Sequence, residues 1–324
     1  MDVRALGRLH RELKRRHPEL LGLGIGWRRK RGRVQKAPAI KLIVEKKRSR
    51  RAKSVRLFPN HLEFPLSRGK RPLSVRIHTD VEEAGRWIHT SFPISVNQMP
   101  DVTATCYATW TDSQGNSCLG LVTVAHAFPS PGQSVQIPTS GPGTADGVVY
   151  ARSDLITDGL DVALIQLLNN PTGLLPCLPA TLNPGAASVS NTINLLGLSD
   201  TDAQYAPMEN WFSSSPATGR ALAYYYTRTI ANTDGTSYNL KSVVEADGPQ
   251  GTYDRGRSGS PWVAMPSESV ALSVALQSQG NEGLDFRLGL GTHLATALSW
   301  LSQCPNMTIN TFKWAWRVED LAGL

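Results

Sequence analysis

Beyond residue 95 the chain is cut into short β-rich runs by clusters of Gly, Pro, Asn, Asp and Ser. The runs fall at residues 105–110, 119–124, 147–150, 162–167, 223–229, 242–245, 262–265 and 270–276. Short strands at regular spacing, with turn signals between them, close into a β-barrel or a β-sandwich. One closing helix is expected over residues 292–301, where Leu294, Leu298 and Leu301 share a face. There is no internal repeat.

The first 86 residues have a different texture. They carry 25 Lys/Arg against 8 Asp/Glu, a net charge of +17, whereas residues 87–324 carry 9 against 18, a net of −9. A charge asymmetry of this size marks a module boundary, and 324 residues leave room for two domains of roughly 150 residues each. Leu6, Leu9 and Leu13 stand at helical spacing before Pro18. Leu21, Leu23, Ile25 and Trp27 then alternate with Gly22, Gly24 and Gly26, which is a strand period; a basic turn and a second β-rich run at 39–45 make a hairpin. The three glycines do not read as a phosphate loop. They lie inside an alternating strand and lack the turn between strand and helix that such a loop needs. Leu73, Val75 and Ile77 form a third strand. Residues 1–86 are therefore expected to form a small basic α+β module and residues 87–324 a mainly β domain.

The N-terminal 21 residues are Arg-rich and amphipathic, without the apolar core or the small-residue cleavage site of a secretory signal. No stretch approaches 18 continuous apolar residues, so no membrane span is expected. Cys106, Cys118, Cys177 and Cys304 show no C-x-x-C spacing and are expected as free thiols in a cytoplasmic protein. On that expectation, Asn306-Met307-Thr308 is a glycosylation sequon by letter only.

Three segments carry chemistry-bearing residues. In Val122-Thr123-Val124-Ala125-His126-Ala127 an apolar strand runs into a histidine flanked by small residues, which leave an imidazole room to face a cleft. In Asp161-Val162-Ala163-Leu164 an acid opens a near-continuous apolar strand, and a carboxylate buried there needs a dedicated partner. In Gly256-Arg257-Ser258-Gly259-Ser260-Pro261 glycines flank a serine in a tight turn, where backbone N–H groups can converge on one point. Each segment alone also fits a plain structural reading: a strand-end histidine, a strand-start aspartate, a surface loop. Together they supply a hydroxyl, a base to activate it and an acid to orient the base.

The order His, Asp, Ser resembles that of the trypsin-like serine proteases. The segment at His126 is similar to their T-A-A-H motif, with Val124 in the first alanine's place. Asp161 to Leu164 is similar to D-[IV]-A-L, and residues 256–261 to G-x-S-G-[GS]-P, in the serine variant most like bacterial glutamyl endopeptidases. The intervals of 35 and 97 residues between the three also suit the family. The resemblance spans residues 95–305 and implies a double six-stranded β-barrel after the α+β module. It implies a bacterial, cofactor-free and metal-free serine endopeptidase with His126, Asp161 and Ser258 as its triad. The N–H groups of Gly256 and Ser258 would form the oxyanion hole, and Ser278, Gln279 and Gly280 an edge strand that pairs with an extended protein or peptide substrate.

Two positions depart from trypsin. Arg257 stands where trypsin has the aspartate that pairs with a newly cut N-terminus, so activation by that route is not expected. Thr252 stands at the pocket position where trypsin has an aspartate, so Lys/Arg specificity is not expected either. His293 is a second candidate pocket residue, favouring an acidic side chain; the alternative is a helix-start histidine facing solvent.

For the basic head, the runs at 28–33 and 46–53 suit an acidic protein partner or the acidic body of the chain itself, in which case the head regulates the enzyme. Nucleic acid is a further option, since clustered Lys/Arg neutralise phosphates, but few aromatics lie near those runs to stack on bases. Two other readings of the whole chain stay open: a catalytically inactive peptide-binding barrel, and a nucleic-acid-tethered module.

Overall fold

The computed structural model describes residues 3–30, 33–47, 58–66, 73–89, 102–128, 130–138, 144–168, 183–188, 191–192, 207–210, 217–232, 236–254, 256–267, 270–281, 284–304, 310–316 and 318–321. Cys177, Asn306 and parts of both basic runs lie outside them. The fold is mainly β, as expected, and every structural statement below concerns the described residues.

The head opens with α1 (Val3–Arg16) and continues as β1 (Leu20–Lys30), β2 (Arg33–Val44), β3 (His61–Leu66) and β4 (Leu73–Glu83), and β5 (Arg86–His89) spans its boundary with the body. Leu6 and Leu13 are buried on one side of α1, and the basic residues take the other faces. β1 and β2 form the expected hairpin. The third strand, β4, pairs with β2 in parallel and with β3 in antiparallel. The glycines of β1 have a packing reason: a Cβ on Gly24 would lie 2.4 Å from the Tyr224 carbonyl oxygen, and one on Gly26 2.5 Å from that of Leu222. The strand can approach its neighbour that closely only without side chains at these points.

The first unit of the body is a six-stranded sheet of β6 (Cys106–Thr111), β7 (Ser117–Thr123), β8 (Ser134–Pro138), β9 (Thr144–Arg152), β10 (Ala163–Leu167) and β18 (Asn310–Ala315), in the order β18-β6-β7-β10-β9-β8. β18 arrives from the far end of the chain, beyond the region of family resemblance. Trp110, Phe128, Val149, Val162 and Leu164 fill its core together with Leu294, Leu298 and Leu301 of α2 (Leu294–Ser302). A short α3 (Val318–Leu321) closes the described chain.

The second unit holds β12 (Pro207–Asn210), β13 (Ala217–Asn232), β14 (Ser237–Asp247), β15 (Pro261–Ser267), β16 (Val270–Gly280) and β17 (Leu288–His293), with a short β11 (Asn183–Ala186) pairing parallel to β16. The order β12-β15-β16-β17-β14-β13 closes on itself, because β12 also pairs with β13. These six strands form a barrel, whereas the described pairings of the first unit run as an open order. β14 shows how sequence and position agree. Tyr238 and Leu240 are buried between exposed Ser237, Asn239 and Lys241, and residues 243–246 are then buried on both faces.

One edge of the long β13 is shared by three partners in turn. β12 takes residues 217–220, β1 takes residues 223–228, and β5 takes Ala231 and Asn232. Head and barrel thus belong to one continuous sheet. The junction also carries buried charge: Arg29 of β1 meets Glu245 of β14 at 2.8 Å, and Arg228 of β13 meets the same carboxylate at 2.5 Å. Burial opposes charge on Arg29, but Glu245 and Glu82 outweigh it and raise its pKa. Burial likewise opposes charge on Glu245, and Arg29, Arg228 and Lys41 overcome it, holding that carboxyl below its usual range.

Candidate active site

The histidine and the aspartate are brought together by strand register. Thr123 at the end of β7 stands opposite Ala163 at the start of β10. His126 follows the first by three residues and Asp161 precedes the second by two, so both leave the sheet at the same end. The serine comes from the other unit, on the turn before β15. Ser260 N–H donates to the Arg257 carbonyl at 3.0 Å, closing a turn with Ser258 and Gly259 at its centre. Gly259 has φ +84°, the left-handed position such a turn requires, and a Cβ there would lie 1.8 Å from the Thr103 carbonyl oxygen.

The turn is fastened to both units. On the barrel side, Gly259 N–H donates to the Gln277 carbonyl at 2.8 Å, and Gln277 N–H to the Ser260 carbonyl at 3.0 Å. On the other side, Thr103 N–H donates to the Ser258 carbonyl at 2.7 Å, and the Thr105 hydroxyl to the Gly259 carbonyl at 2.6 Å. Thr123 Oγ1 in turn holds the Thr103 carbonyl at 2.8 Å. Thr103 and Thr105 do not stand out in the sequence, because their role depends on partners some 150 positions away.

Across the junction, His126 Nε2 lies 3.1 Å from Ser258 Oγ and His126 Nδ1 lies 2.7 Å from Asp161 Oδ2. A carboxylate can only accept, so Nδ1–H donates to Asp161 and Nε2 is left as the acceptor for the Ser258 hydroxyl. The Asp161 and Ser258 side chains are fully buried, and His126 is 7% exposed. The remaining lone pairs of Asp161 are met as well. Oδ1 accepts from the N–H groups of Ala125 (2.8 Å) and His126 (3.0 Å), and Oδ2 also accepts from the Ser278 hydroxyl. A buried carboxylate with four donors avoids the cost of an unsatisfied charge.

Of the other sequence-derived site residues, Gly256 has φ +79° and immediately precedes the serine turn. Ser278, expected on the substrate edge, sits at a bulge of β16 against β17 and turns its hydroxyl onto Asp161. Gln279 and Gly280 do lie on a pairing edge of β16, and β5 is paired to it. Thr252 is buried, with its hydroxyl on the Pro249 carbonyl at 2.8 Å. His293 does start α2, but it is fully buried, its ring nitrogens 2.9 Å from Thr192 Oγ1 and 3.4 Å from Thr296 Oγ1. Burial pulls its pKa down to about 4, against an opposing hydrogen bond with the Ser188 backbone.

A six-stranded sheet and a six-stranded barrel, with histidine and aspartate on one and serine on the other, define a trypsin-like two-unit β fold. No protein-family profile matches the sequence, and no curated protein does. Among solved structures, the chain is similar to the MamO protease domain of Magnetospirillum magneticum in its apo form, with 13% identity and a TM-score of 0.36 over 67% of this chain and 95% of that one. It is also similar to the Rv3671c protease in its inactive form (12%, TM-score 0.32, 64% of this chain and 98% of that one). For the active form, from M. tuberculosis, the values are 13%, 0.34, 60% and 79%.

Proposed function

We propose that the protein is a serine endopeptidase working through an acyl-enzyme, with Ser258 as nucleophile. The observation that supports this reading is the unbroken relay from Ser258 Oγ through the His126 ring to Asp161, at 3.1 and 2.7 Å. A serine hydroxyl is a poor nucleophile until an adjacent base takes its proton. In this reading His126 Nε2 takes it as Oγ attacks the scissile carbonyl, then returns it to the leaving amine. Asp161 holds the imidazole in the required tautomer and stabilises the transient imidazolium.

The N–H groups of Gly256 and Ser258 would receive the developing oxyanion. The positive φ of Gly256 and Gly259 bends the chain around that point. Gln279 and Gly280 would pair with the main chain of an extended substrate. Thr252 and His293 are the pocket residues the sequence offers, both buried. The basic head would act in this scheme as a regulatory element.

The test is labelling of purified full-length protein with a fluorophosphonate, the modified residue being located by mass spectrometry. Attachment to Ser258 that is lost in His126→Ala is the expected result. A folded wild-type protein that takes no label would overturn the assignment and leave a peptide-binding fold.

A further inference from the structure

β5 spans the boundary between head and body, and it pairs with two strands of the barrel. Arg86 and Trp87 pair in parallel with Ala231 and Asn232 of β13, while Ile88 and His89 pair in antiparallel with Gly280 and Gln279 of β16. β16 is the strand that carries the site. Its Gln277 fastens the serine turn, and its Ser278 hydroxyl bonds Asp161. Running from Gln277 to Gly280, β16 leaves the site; β5, being antiparallel, runs from Arg86 to His89 towards it. The edge at Gln279 and Gly280 thus already holds an extended peptide segment, and that segment belongs to the chain itself.

We propose that residues 86–89 are an internal ligand of the substrate edge, so that the segment joining head and body inhibits the site in cis and an extended substrate must displace β5. The inference rests on the protease reading above. A strand edge offers one row of N–H and C=O groups and pairs with one strand at a time, so β5 and a substrate main chain compete for it. β5 is also held in place from the side. Trp87 is 2% exposed under the Arg228 guanidinium, 4.8 Å from its ring centroid, and Arg228 is bound to Glu245, which the head's own Arg29 also holds. The clamp therefore joins β1, β5, β13 and β14, and its release would loosen β5.

The experiment compares the full-length wild type with Ile88→Pro and His89→Pro. Each removes one backbone N–H from β5, and in an antiparallel ladder neighbouring residues point their N–H groups to opposite sides, so one of the two breaks a bond to β16. Trp87→Leu weakens the Arg228 clamp without touching the ladder, and covers the case in which a proline variant fails to fold. Two readouts are taken: the rate at which a small fluorophosphonate modifies Ser258, which does not need the edge, and hydrolysis of fluorescein-labelled casein, which does. Loss of one ladder bond is expected to lower the KM for casein about tenfold, with kcat and the labelling rate little changed. Casein kinetics equal to wild type in every variant that still labels would overturn the inhibitory role and leave the protease reading standing. Absence of labelling at Ser258 in all proteins would overturn both.

Discussion

Thr123 stands opposite Ala163 across β7 and β10, and this single register carries His126 and Asp161 to the same end of one sheet. A slip of one residue would turn each side chain to the other face. The relay therefore depends on ladder register as much as on the identity of its residues.

Ser258→Ala is expected to reduce turnover by at least about 10⁴-fold, since residues of such a relay act as a unit. The melting temperature should stay close to that of the wild type, because one buried hydroxyl is removed and no cavity wall is lost. Retained turnover in a folded variant would remove Ser258 from the role of nucleophile.

Gly259→Ala should damage the site through the backbone. At φ +84° and 1.8 Å from the Thr103 carbonyl oxygen, a Cβ has no room, and either the turn or the 103–105 segment must move. The expected signs are a loss of stability of about 2 kcal/mol or more and loss of fluorophosphonate labelling. Labelling at the wild-type rate would show that the turn tolerates a side chain.

His293 makes stability depend on pH. Its pKa is held at about 4 against an ordinary 6.5 by burial. A histidine buried in its neutral form contributes stability that is complete above 6.5 and is lost as pH falls towards 4, because the unfolded chain takes up the proton first. The shift corresponds to about 3 kcal/mol over that window. Urea denaturation of His293→Gln between pH 7 and 4 should show a shallower loss than the wild type; parallel curves would assign the acid sensitivity elsewhere.

Arg29→Met tests the junction between head and barrel. It leaves Glu245 buried with Arg228 as its direct ion-pair partner, and removing one member of a buried charge cluster costs about 3 kcal/mol. A fall in melting temperature of roughly 6 °C or more is expected. Removing residues 1–86 altogether should be worse, since it bares the edge of β13 over residues 223–228 as well. A truncated chain that remains monomeric and melts like the wild type would show that the barrel needs no head.

Much of the fold is legible in local pattern. The helix at 3–16, the glycine-bearing strand and its hairpin, and most strands of the body follow from periodicity and turn residues, which act over a few positions. Strands that lack a clear pattern are not legible. β12 is a four-residue piece that closes the barrel, too short to show a period. β18 is recognisable only by its pairing with β6, some 200 positions earlier.

The sequence by itself determined that the chain is mainly β, that its charge is divided near residue 86, and that a histidine, an aspartate and a serine lie in suggestive settings. Tertiary structure decided the rest: that the three side chains meet across two units, that Ser278 turns to Asp161, that His293 is buried, and that the head continues the barrel's sheet and lays β5 on the edge of β16. The reason is physical. Periodicity and turn chemistry act between neighbours, and a single sequence displays them. Ladder register and burial of charge are set by partners tens to hundreds of residues away, and they exist only once the chain has closed.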